Sequence, residues 1–482
     1  MICDTVSGNR VSNIKDKDSG GRMTTVEEET SEETPWHLSG NNAPVFDEVT
    51  VTELDVKGSV PPELNGRYFR NGANPQTGTS PHWFVGDGMI HGIELNGGKA
   101  NWYRNRYVRT PMYANPNTDR MELYLDMEKG GFNYNVSVAN TSVIGHGGKI
   151  LALEEGSFPY ELTEQVETIG AHDFGGKLTT AMTAHPKICG ETGELLMFGY
   201  SSLPPYLVYH RISADGELVQ SEEITVNGPT MMHDFTVTRN HSIFMDLPAI
   251  FDMELAMQGG MPIRWSDDYP SRFGIMPREG SNNDVKWFDV DPCYVFHTLN
   301  SYEDGDEVVV NGCRLREIWR ENSDIGVSDA PDPADAPMMW EWRFNLATGG
   351  VSEKQIDDQG SEFPRIPDHL VGLTNRYGYT VTMGPGSDGT GGSIFKYDLS
   401  SGGTRTEHVF PAGHFPGEPS FVQAEGAVNE DDGYLMTYVY AGDTNTSYLV
   451  LLDASNIGRD PVAEIHLPRR VPTGFHGSWI AD

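Results

Sequence analysis

Four histidines lie near the ends of predicted β-strands, and their imidazoles could together bind one metal ion. They are His185, His233, His297 and His476. The gaps between successive members are 48, 64 and 179 positions (185 to 233, 233 to 297 and 297 to 476), which fit no zinc-finger pattern and no helical histidine pair. Such gaps suit ligands that come from separate structural repeats and converge on one axis. Imidazole nitrogen suits iron, copper, zinc or nickel, so these residues alone leave the metal open.

His233 shows the local pattern most clearly. A Gly-Pro turn at Gly228 and Pro229 leads into an apolar stretch, and a second apolar run begins at Ser242 after a turn at 239–240. This pattern predicts a β-hairpin with His233 at the open end of its first strand. A single histidine in that place would be read as a hydrogen-bonded structural imidazole, so the metal hypothesis depends on all four.

Three glutamates stand in apolar or turn-rich surroundings and could complete such a site. They are Glu155, Glu362 and Glu418. Four neutral imidazoles leave the charge of a divalent ion uncompensated, and each ligating ring keeps one N–H group that needs an acceptor. A buried glutamate is costly unless it has a partner, and a histidine N–H beside a cation would be a suitable one. The alternative is that each glutamate is a solvated loop acid.

Composition excludes several other classes of protein. The 482 residues carry 70 acidic and 34 basic side chains, a formal net charge of −36. With no basic stripe, we expect no nucleic-acid partner and no strong attachment to an anionic membrane surface. No apolar run approaches the roughly 18 residues of a transmembrane helix. The N-terminus lacks the apolar core of a secretion signal, and the four scattered cysteines indicate free thiols, so a cytoplasmic location is expected.

The order of turns and apolar runs predicts an all-β fold. Residues 1–40 are polar and acidic and are expected to form a disordered tail, whereas residues 41–482 are expected to form one domain. From about residue 49, runs of four to eight residues alternate with turns, and larger units recur every 40 to 65 residues. That period suits four-stranded blades, so a β-propeller of roughly six to eight blades is favoured over a β-sandwich.

Two segments interrupt this rhythm and are expected to cover one face of the propeller. The first, residues 250–285, contains several methionine and aromatic side chains and could cover an apolar pocket. The second, residues 322–337, is rich in Asp, Pro and Ala. Both could equally be surface loops.

Seven short motifs, in order along nearly the whole folded region, resemble those of the carotenoid cleavage oxygenase family, which includes carotenoid, apocarotenoid and lignostilbene dioxygenases. They are LNGRYFRNG at 64–72, WFVGDGMIH at 83–91, ANT at 139–141, MHDF at 232–235, EFPR at 362–365, GEP at 417–419 and FHG at 475–477. The resemblance implies a seven-bladed β-propeller with a dome of loops and helices over the metal-bearing face. It also implies a non-haem Fe(II) centre and oxidative cleavage of a carbon–carbon double bond by O2 into two carbonyl products.

The resemblance assigns roles to the residues named above. It implies that His185, His233, His297 and His476 bind Fe(II), and that Glu155, Glu362 and Glu418 orient three of the four imidazoles. No further catalytic side chain is implied beyond the metal centre. Three other residues are predicted to line the pocket for substrate and O2, namely Thr141, Phe296 and Tyr113.

The resemblance leaves the choice between two alkene classes open. The lignostilbene branch has a lysine that meets the substrate phenol where this chain has Glu154, and a carboxylate there would repel a phenolate. Tyr113 does match the second phenol-contacting position. A polyene, either a carotenoid or an apocarotenoid, is therefore the preferred substrate, with a hydroxystilbene as the alternative. The 250–285 segment is also expected to make a peripheral membrane contact to collect the polyene.

Three rival functions make distinguishable predictions. An isomerase or hydrolase could keep the same iron site but would not transfer oxygen from O2 to its products. A non-enzymatic binding propeller would not need four histidines and three glutamates in register. A calcium-dependent lactonase would use oxygen ligands on the propeller axis, because Ca²⁺ prefers oxygen to imidazole.

Overall fold

Short apolar runs broken by glycine-containing turns form strands throughout the chain. At the turn before Lys99, for example, Gly97 and Gly98 have φ values of 55° and 78°, which are left-handed and favour glycine. The computed structural model describes residues 34–126, 131–257, 262–320, 336–382 and 391–482. In these residues, glycine at such turns lets successive strands pair as antiparallel hairpins.

The described strands are numbered here in chain order. Those before residue 250 are β1 (Thr50–Val51), β2 (Asp55–Gly58), β3 (Gly66–Arg70), β4 (Met89–Asn96), β5 (Lys99–Tyr107), β6 (Leu125–Asp126), β7 (Gly131–Phe132), β8 (Ser142–His146), β9 (Lys149–Leu153), β10 (Tyr160–Leu162), β11 (Thr168–Ala171), β12 (Lys187–Ile188), β13 (Leu195–Tyr200), β14 (Leu207–Ile212), β15 (Leu218–Glu223), β16 (Thr236–Val237), β17 (His241–Asp246) and β18 (Ala249–Phe251).

The later strands are β19 (Ile263–Trp265), β20 (Arg272–Pro277), β21 (Lys286–Asp289), β22 (Tyr294–Asp304), β23 (Glu307–Leu315), β24 (Met338–Asn345), β25 (Val351–Gln355), β26 (Glu362–Arg365), β27 (Tyr377–Val381), β28 (Ser393–Asp398), β29 (Thr404–Val409), β30 (His414–Pro416), β31 (Ser420–Gln423), β32 (Gly433–Ala441), β33 (Thr446–Asp453), β34 (Ala463–His466) and β35 (Gly477–Ala481). The described helices are short: α1 (Pro111–Ala114), α2 (Arg120–Tyr124), α3 (Met253–Met257) and the 3₁₀ turns Trp36–Leu38, Gly40–Asn42, Asn282–Asp284, Asp368–Leu370 and Leu399–Ser401.

Seven antiparallel sheets form the blades of a propeller, which confirms the number that the family resemblance implies. Blade 1 has the strand order β1-β5-β4-β3-β35, and blades 2 and 3 are β11-β10-β9-β8 and β12-β13-β14-β15. Blades 4, 5 and 6 are β16-β17-β20-β21, β22-β23-β24-β25 and β26-β27-β28-β29. Blade 7 is β2-β34-β33-β32-β30, with β31 also paired to β32. The hairpin predicted after His233 is present, since Thr236 pairs with Ile243.

The propeller is closed by strands from both ends of the domain. The last strand, β35, pairs with β3 in blade 1, where Arg70 lies opposite Gly477. The early strand β2 pairs with β34 in blade 7, where Asp55 lies opposite His466. Two neighbouring blades therefore each combine N-terminal and C-terminal strands, so the ring closes only when both ends are in place.

The apolar core lies between the faces of neighbouring blades. Between blades 4 and 5, for example, Phe273 packs against Trp342 and Phe344, with ring centroids 5.5 and 5.2 Å apart. All three side chains are fully buried, which removes a large apolar area from water. The described cysteines, Cys189, Cys293 and Cys313, are buried free thiols, whereas Cys3 lies outside the described residues. Blade-on-blade packing of this kind makes the axis of the propeller rigid.

The helices and two small sheets cover one face of the propeller. Sheets β6-β7 and β18-β19 lie outside the blades. The β18 segment is tied to the loop before His233, because Phe251 N donates to Pro229 O at 2.9 Å. This dome therefore covers the face on which the His233 loop lies. No helix in the described parts of the chain is long and apolar enough to span a membrane.

The expected interruptions differ in extent from the prediction. The 250–285 segment contributes β18, α3 and β19 to the dome, but Arg272–Pro277 within it is the third strand of blade 4. Its apolar residues in that stretch pack in the core, as Phe273 shows, and contact of this segment with a membrane stays a prediction. The second segment, 322–337, lies almost entirely outside the described residues. So does most of the predicted tail 1–40, although Trp36–Leu38 forms a 3₁₀ turn.

Candidate metal centre

Seven polar residues, one from each blade, lie at the same end of the propeller, close to the start of the innermost strand of their blade. In blade order, these residues are His476, Thr141, His185, His233, His297, Glu362 and Glu418. Each stands at or just before the start of its strand, apart from His297, which is the fourth residue of β22. Inner strands of neighbouring blades contact one another, as β22 does with β16 and β26. The seven residues therefore form a ring around the axis.

The four predicted histidines meet at this ring. Nitrogen atoms of His185, His233 and His297 all lie within 4.8 Å of one another. His185 Nε2 and His233 Nε2 are 3.0 Å apart. The ring centroid of His476 lies 4.6 Å from that of His185 and 4.8 Å from that of His297. The propeller thus brings together rings that are up to 291 positions apart in sequence (185 to 476).

Three of the imidazoles use Nδ1 to contact a glutamate, and these are the three predicted glutamates. The distances are 2.7 Å for His233 and Glu155, 2.6 Å for His297 and Glu362, and 2.9 Å for His476 and Glu418. A carboxylate at Nδ1 fixes the tautomer with Nδ1 protonated and leaves Nε2 as a free donor of electrons. The sequence alone did not indicate which glutamate meets which histidine.

A bulge in β22 aims His297 at the axis. The register of β22 against β23 shifts between Val295 and Thr298, so Phe296 and His297 together face one residue of the partner strand. Gly312 on that strand permits the close approach, because a Cβ there would lie 3.2 Å from the His297 carbonyl oxygen. Bulges of this kind re-aim side chains next to active sites.

Glu418 is held from three sides and so fixes His476. Its Oε2 accepts from Gly477 N at 2.9 Å and from Arg365 Nη1 at 3.2 Å, while Oε1 faces His476. Arg365 Nη1 also donates to Gly477 O at 3.0 Å. Burial raises the pKa of Glu418, but His476 and Arg365 outweigh it and lower that pKa to about 2. The carboxylate is therefore ionised throughout the ordinary pH range.

Tyr200 supports Glu155 in a corresponding way. Burial, together with the nearby Glu155 carboxylate, raises the pKa of Tyr200 well above its ordinary value. The phenol therefore stays protonated as a donor. Glu155, in turn, contacts His233.

His185 differs from the other three histidines. Among the described residues, its side chain has a hydrogen-bond contact with His233 and none with a carboxylate. Burial, followed by the three neighbouring imidazoles and Lys187, holds the pKa of His185 well below its ordinary value. Lys187 itself pairs with the fully buried Asp234 at 2.7 Å. His185 is thus a neutral imidazole, the form that binds metals.

Aromatic side chains surround the imidazoles on the dome side. The ring of Phe296 lies 5.3 Å from that of His233 and 6.1 Å from that of Trp319. Phe363 lies 5.4 Å from both His297 and His476, and its φ of 53° is rare for a non-glycine residue. Left-handed backbone at such a residue is strained and tends to persist at functional sites.

The other two predicted pocket residues occupy different places. Thr141 lies at the ring, where its carbonyl oxygen accepts from His476 N at 3.1 Å and its hydroxyl donates to Asn140 Oδ1 at 2.9 Å. The Tyr113 ring packs 5.1 Å from the ring of Tyr107 and beneath the guanidinium of Arg109, which is 4.4 Å away. The described contacts of Tyr113 do not include the imidazoles, so its role at the substrate stays a prediction.

Glu154, which was expected to repel a phenolate, is paired with a cation. Arg120 Nη2 lies 2.8 and 2.9 Å from its two oxygens, and Ser157 Oγ and Gly156 N donate to it at 2.6 and 2.8 Å. Burial raises the pKa of Glu154, but Arg120 and these hydrogen bonds outweigh it, and that pKa is lowered. The negative charge is therefore offset locally, which weakens the argument from repulsion.

The donor set fits a divalent transition metal. His297 Nε2 is buried and has no hydrogen-bond partner among the described residues, which leaves a strong acceptor unsatisfied unless an ion is present. The Nε2 atoms of His185 and His233 point at each other at 3.0 Å, which suits two ligands of one ion better than two neutral rings. The residues present therefore fit Fe(II), whose binding by them stays a proposal.

Several residues of the centre had no assigned role from the sequence. Arg365 and Phe363 belong to the EFPR motif, and that motif was the one sequence signal available for them. Tyr200, Lys187 and Asp234 carried no comparable signal. Their partners lie far away in sequence and come together only through the propeller.

Comparison with known proteins gives the same class as the fold and the centre. Residues 42–481 match the family described as retinal pigment epithelial membrane protein. A carotenoid cleavage oxygenase of Mycobacterium tuberculosis is 38% identical over 514 residues, covering 95% of this chain and 99% of the relative. Carotenoid 9,10(9',10')-cleavage dioxygenase 1 of Pisum sativum is 35% identical, covering 93% of this chain and 90% of the relative.

Two solved structures share the fold closely. The lignostilbene dioxygenase of Pseudomonas brassicacearum superposes with a TM-score of 0.82 at 28% identity, covering 93% of this chain and 99% of the other. Cobalt-substituted Synechocystis apocarotenoid oxygenase superposes with a TM-score of 0.79 at 26% identity, covering 91% and 97%. The fold and the histidine ring therefore define a propeller oxygenase. This chain belongs to the carotenoid cleavage oxygenase family, which confirms the predicted family and shows that it is an oxygenase enzyme.

Proposed function

We propose that this protein is a non-haem Fe(II) dioxygenase that cleaves a carbon–carbon double bond of a carotenoid or apocarotenoid with O2 to give two carbonyl products. The observation that carries the proposal is the convergence of four imidazoles, three of which contact a glutamate at 2.6 to 2.9 Å. Relatives named for carotenoid cleavage support the substrate class.

The ligand set favours a transition metal over calcium. The atoms that face the axis are imidazole nitrogens, whereas a Ca²⁺ site needs six to eight oxygen ligands. The three glutamates are occupied by histidine N–H groups and do not compete as ligands. A calcium-dependent lactonase is therefore disfavoured by the residues themselves.

The chain's own residues bind, orient and exclude water. When bound, iron would supply the electrons that activate O2, so no organic cofactor is needed. The glutamates hold the imidazoles in a fixed orientation, and Phe296, Phe363 and Trp319 provide an apolar wall on the dome side. Such a wall would hold a long conjugated alkene in contact range of the centre while keeping bulk water away.

A hydroxystilbene is the second candidate substrate, and one observation favours it. Arg120 brings a cation beside Glu154, the position where the lignostilbene branch has a lysine. An arginine so placed could stabilise a phenolate through charge and hydrogen bonding. The similarity to a lignostilbene dioxygenase structure is consistent with this alternative.

One experiment tests the reaction and separates the substrates. The protein is reconstituted with Fe(II) under ¹⁸O-labelled O2 and offered β-carotene, β-apocarotenals and hydroxystilbenes as separate substrates. We expect labelled carbonyl products from the polyenes. Cleavage of the stilbenes alone would favour the second candidate. Unlabelled carbonyl products, or no cleavage of any substrate, would contradict a dioxygenase. Elemental analysis of the same sample measures iron, and a metal-free protein that keeps its fold would favour a binding propeller.

A further inference from the structure

A channel runs along the propeller axis from the histidine ring to the face opposite the dome. It has a volume of about 950 Å³, and its inner end is lined by His185, His297 and His476. Its outer end is lined by Glu164 and Asp482, whose side chains are 67% and 42% exposed. The channel therefore joins the histidine ring to solvent without passing through the dome.

The two sides of the ring differ in polarity. On the dome side, the imidazoles pack against aromatic rings such as Phe296 and Phe363. On the channel side, the walls carry six carboxylates against four Lys or Arg side chains, including the ion pair of Lys187 and Asp234 and the carboxylate of Glu418. A hydrated dication loses far more free energy in aromatic surroundings than beside carboxylates and hydroxyls. An ion approaching from solvent is therefore favoured on the channel side.

We propose that the axial channel is the route by which the divalent metal ion reaches the four imidazoles, while the alkene enters from the dome side. The inference rests on the proposed metal site but goes beyond it, because it concerns the path and not the ligands. Two observations carry it independently. The channel is lined by three of the four histidines, and for one of these, His297, the buried Nε2 atom has no hydrogen-bond partner in the described part of the chain.

Two isoleucines give access to the middle of the channel. Ile144 on β8 and Ile480 on β35 both line it and are both half-buried. They come from neighbouring inner strands, and a Cβ at Gly145 would lie 3.2 Å from the Ile480 side chain. Ile144 and Ile480 stand three and four positions beyond Thr141 and His476 in the chain, so a group attached at either position would fill the channel away from the imidazoles.

The test uses a removable plug. Metal-free Ile144→Cys protein is modified with a bulky methanethiosulfonate reagent, and Co²⁺ uptake and chelator-driven Co²⁺ loss are followed by visible absorption. Wild-type protein treated with the same reagent is the matched control, because it shows the effect of modifying the native cysteines, of which Cys189 also lines the channel. We expect both rates to fall about tenfold or more, with the Kd for Co²⁺ unchanged, since a plug raises the barrier without altering either end state. Reduction with dithiothreitol should restore both rates.

Other results would overturn the route. Uptake by the modified protein at the wild-type rate would place the entrance elsewhere. If Co²⁺ uptake slowed but Co²⁺ loss did not slow equally, the Kd would change. That result would indicate that the modification distorts the ring of histidines. Ile480→Cys repeats the measurement from the opposite wall if Ile144→Cys fails to fold. Wild-type protein that binds no Co²⁺ at all would contradict the proposed metal site itself, which distinguishes that failure from failure of the route.

Discussion

His297 and Glu362 lie 2.6 Å apart, Nδ1 to Oε2, although they belong to the inner strands of two neighbouring blades. The other two pairs also cross blades: His233 of blade 4 meets Glu155, which follows the second strand of blade 2, and His476 of blade 1 meets Glu418 of blade 7. Each hydrogen bond therefore orients an imidazole and at the same time links two blades. The orientation of the candidate ligands depends on the closed ring.

Substituting Glu362 by Gln should weaken the metal centre. Glutamine keeps the shape of the side chain but removes the charge that orients His297 and makes Nε2 a better electron donor. Loss of such a partner typically costs roughly ten- to a hundred-fold in metal affinity or activity. The measurements are the Fe(II) content after dialysis and kcat with a polyene substrate.

Glu303→Gln is the matched control for that change. Glu303 contacts His241 Nδ1 at 2.8 Å, and it lies near the other end of the same strand as His297. Its loss should affect stability slightly and leave iron content unchanged. Equal effects of the two substitutions on iron would contradict a role for Glu362 at the metal.

Arg365→Gln should weaken the centre through Glu418. The guanidinium contacts both Glu418 Oε2 and Gly477 O, so its removal leaves a buried carboxylate with less compensation and a less constrained His476. We expect a loss of stability of roughly 3 kcal/mol or less, because Arg365 is partly exposed, together with a several-fold weaker binding of Co²⁺ and an altered Co²⁺ absorption spectrum. Arg365→Lys should recover part of the affinity.

Arg272→Gln is the matched control for Arg365. Arg272 pairs with Asp246 at 2.8 Å, with side-chain exposures of 17% and 0% against 19% and 3% for Arg365 and Glu418. Arg272→Gln should lower the midpoint of thermal unfolding by about as much as Arg365→Gln does, without changing the Kd for Co²⁺. If both variants changed Kd equally, Arg365 would act on general stability alone.

His297→Ala should remove iron and activity together. The substitution deletes one of the four nitrogen donors and leaves Glu362 with one hydrogen-bond partner fewer. Iron content and cleavage of the polyene should fall to background, while far-UV circular dichroism keeps its β signature. Retained activity in this variant, or in wild-type protein stripped with a chelator of transition metals, would favour an oxygen-ligated site such as that of a calcium-dependent lactonase.

Glu154→Gln should reduce stability in a pH-dependent way. The pKa of Glu154 in the folded protein lies below its ordinary value of 4.5, so its ionised form stabilises the fold above pH 4.5 and that contribution is lost as pH falls through the lower pKa. We expect the variant to be about 1–3 kcal/mol less stable than wild type at pH 7, because Arg120 loses its charged partner. The difference should shrink on acidification.

The control for this prediction is a more exposed pair. Glu161 contacts Lys149 at 2.7 Å with exposures of 20% and 37%, and Glu161→Gln should change stability by at most about 1 kcal/mol at any pH. Denaturant unfolding at several pH values measures both variants. A constant difference for Glu154→Gln across the range would contradict the assigned ionisation.

The family resemblance and the turn spacing together predicted the propeller and its dome, because glycine turns and short apolar runs are local features of the chain. The four histidines were found for the same reason, since each stands in a short motif at the end of a predicted strand. The pairing of glutamates with histidines was not predictable, because it depends on which blades are neighbours. The assigned roles of these residues at a metal stay predictions.

Errors arose where tertiary contacts override the local pattern. The 250–285 segment was expected to be a single excursion, but Arg272–Pro277 is a blade strand whose Phe273 is fully buried. Arg120, 34 positions before Glu154, offsets the charge on which the expected repulsion of a phenolate was based, and the preference for a polyene stays a prediction. The neighbouring sequence does not predict either contact, so both became visible only in the structure.

Closure of blade 1 by β35 also fixes when the centre can mature during synthesis. His476 precedes β35, so three histidines leave the ribosome long before the fourth one does. A nascent chain can therefore form several blades before all four candidate ligands are available. Truncation before Phe475 would remove His476 and β35 together, so a single cut would take away a candidate ligand and open blade 1.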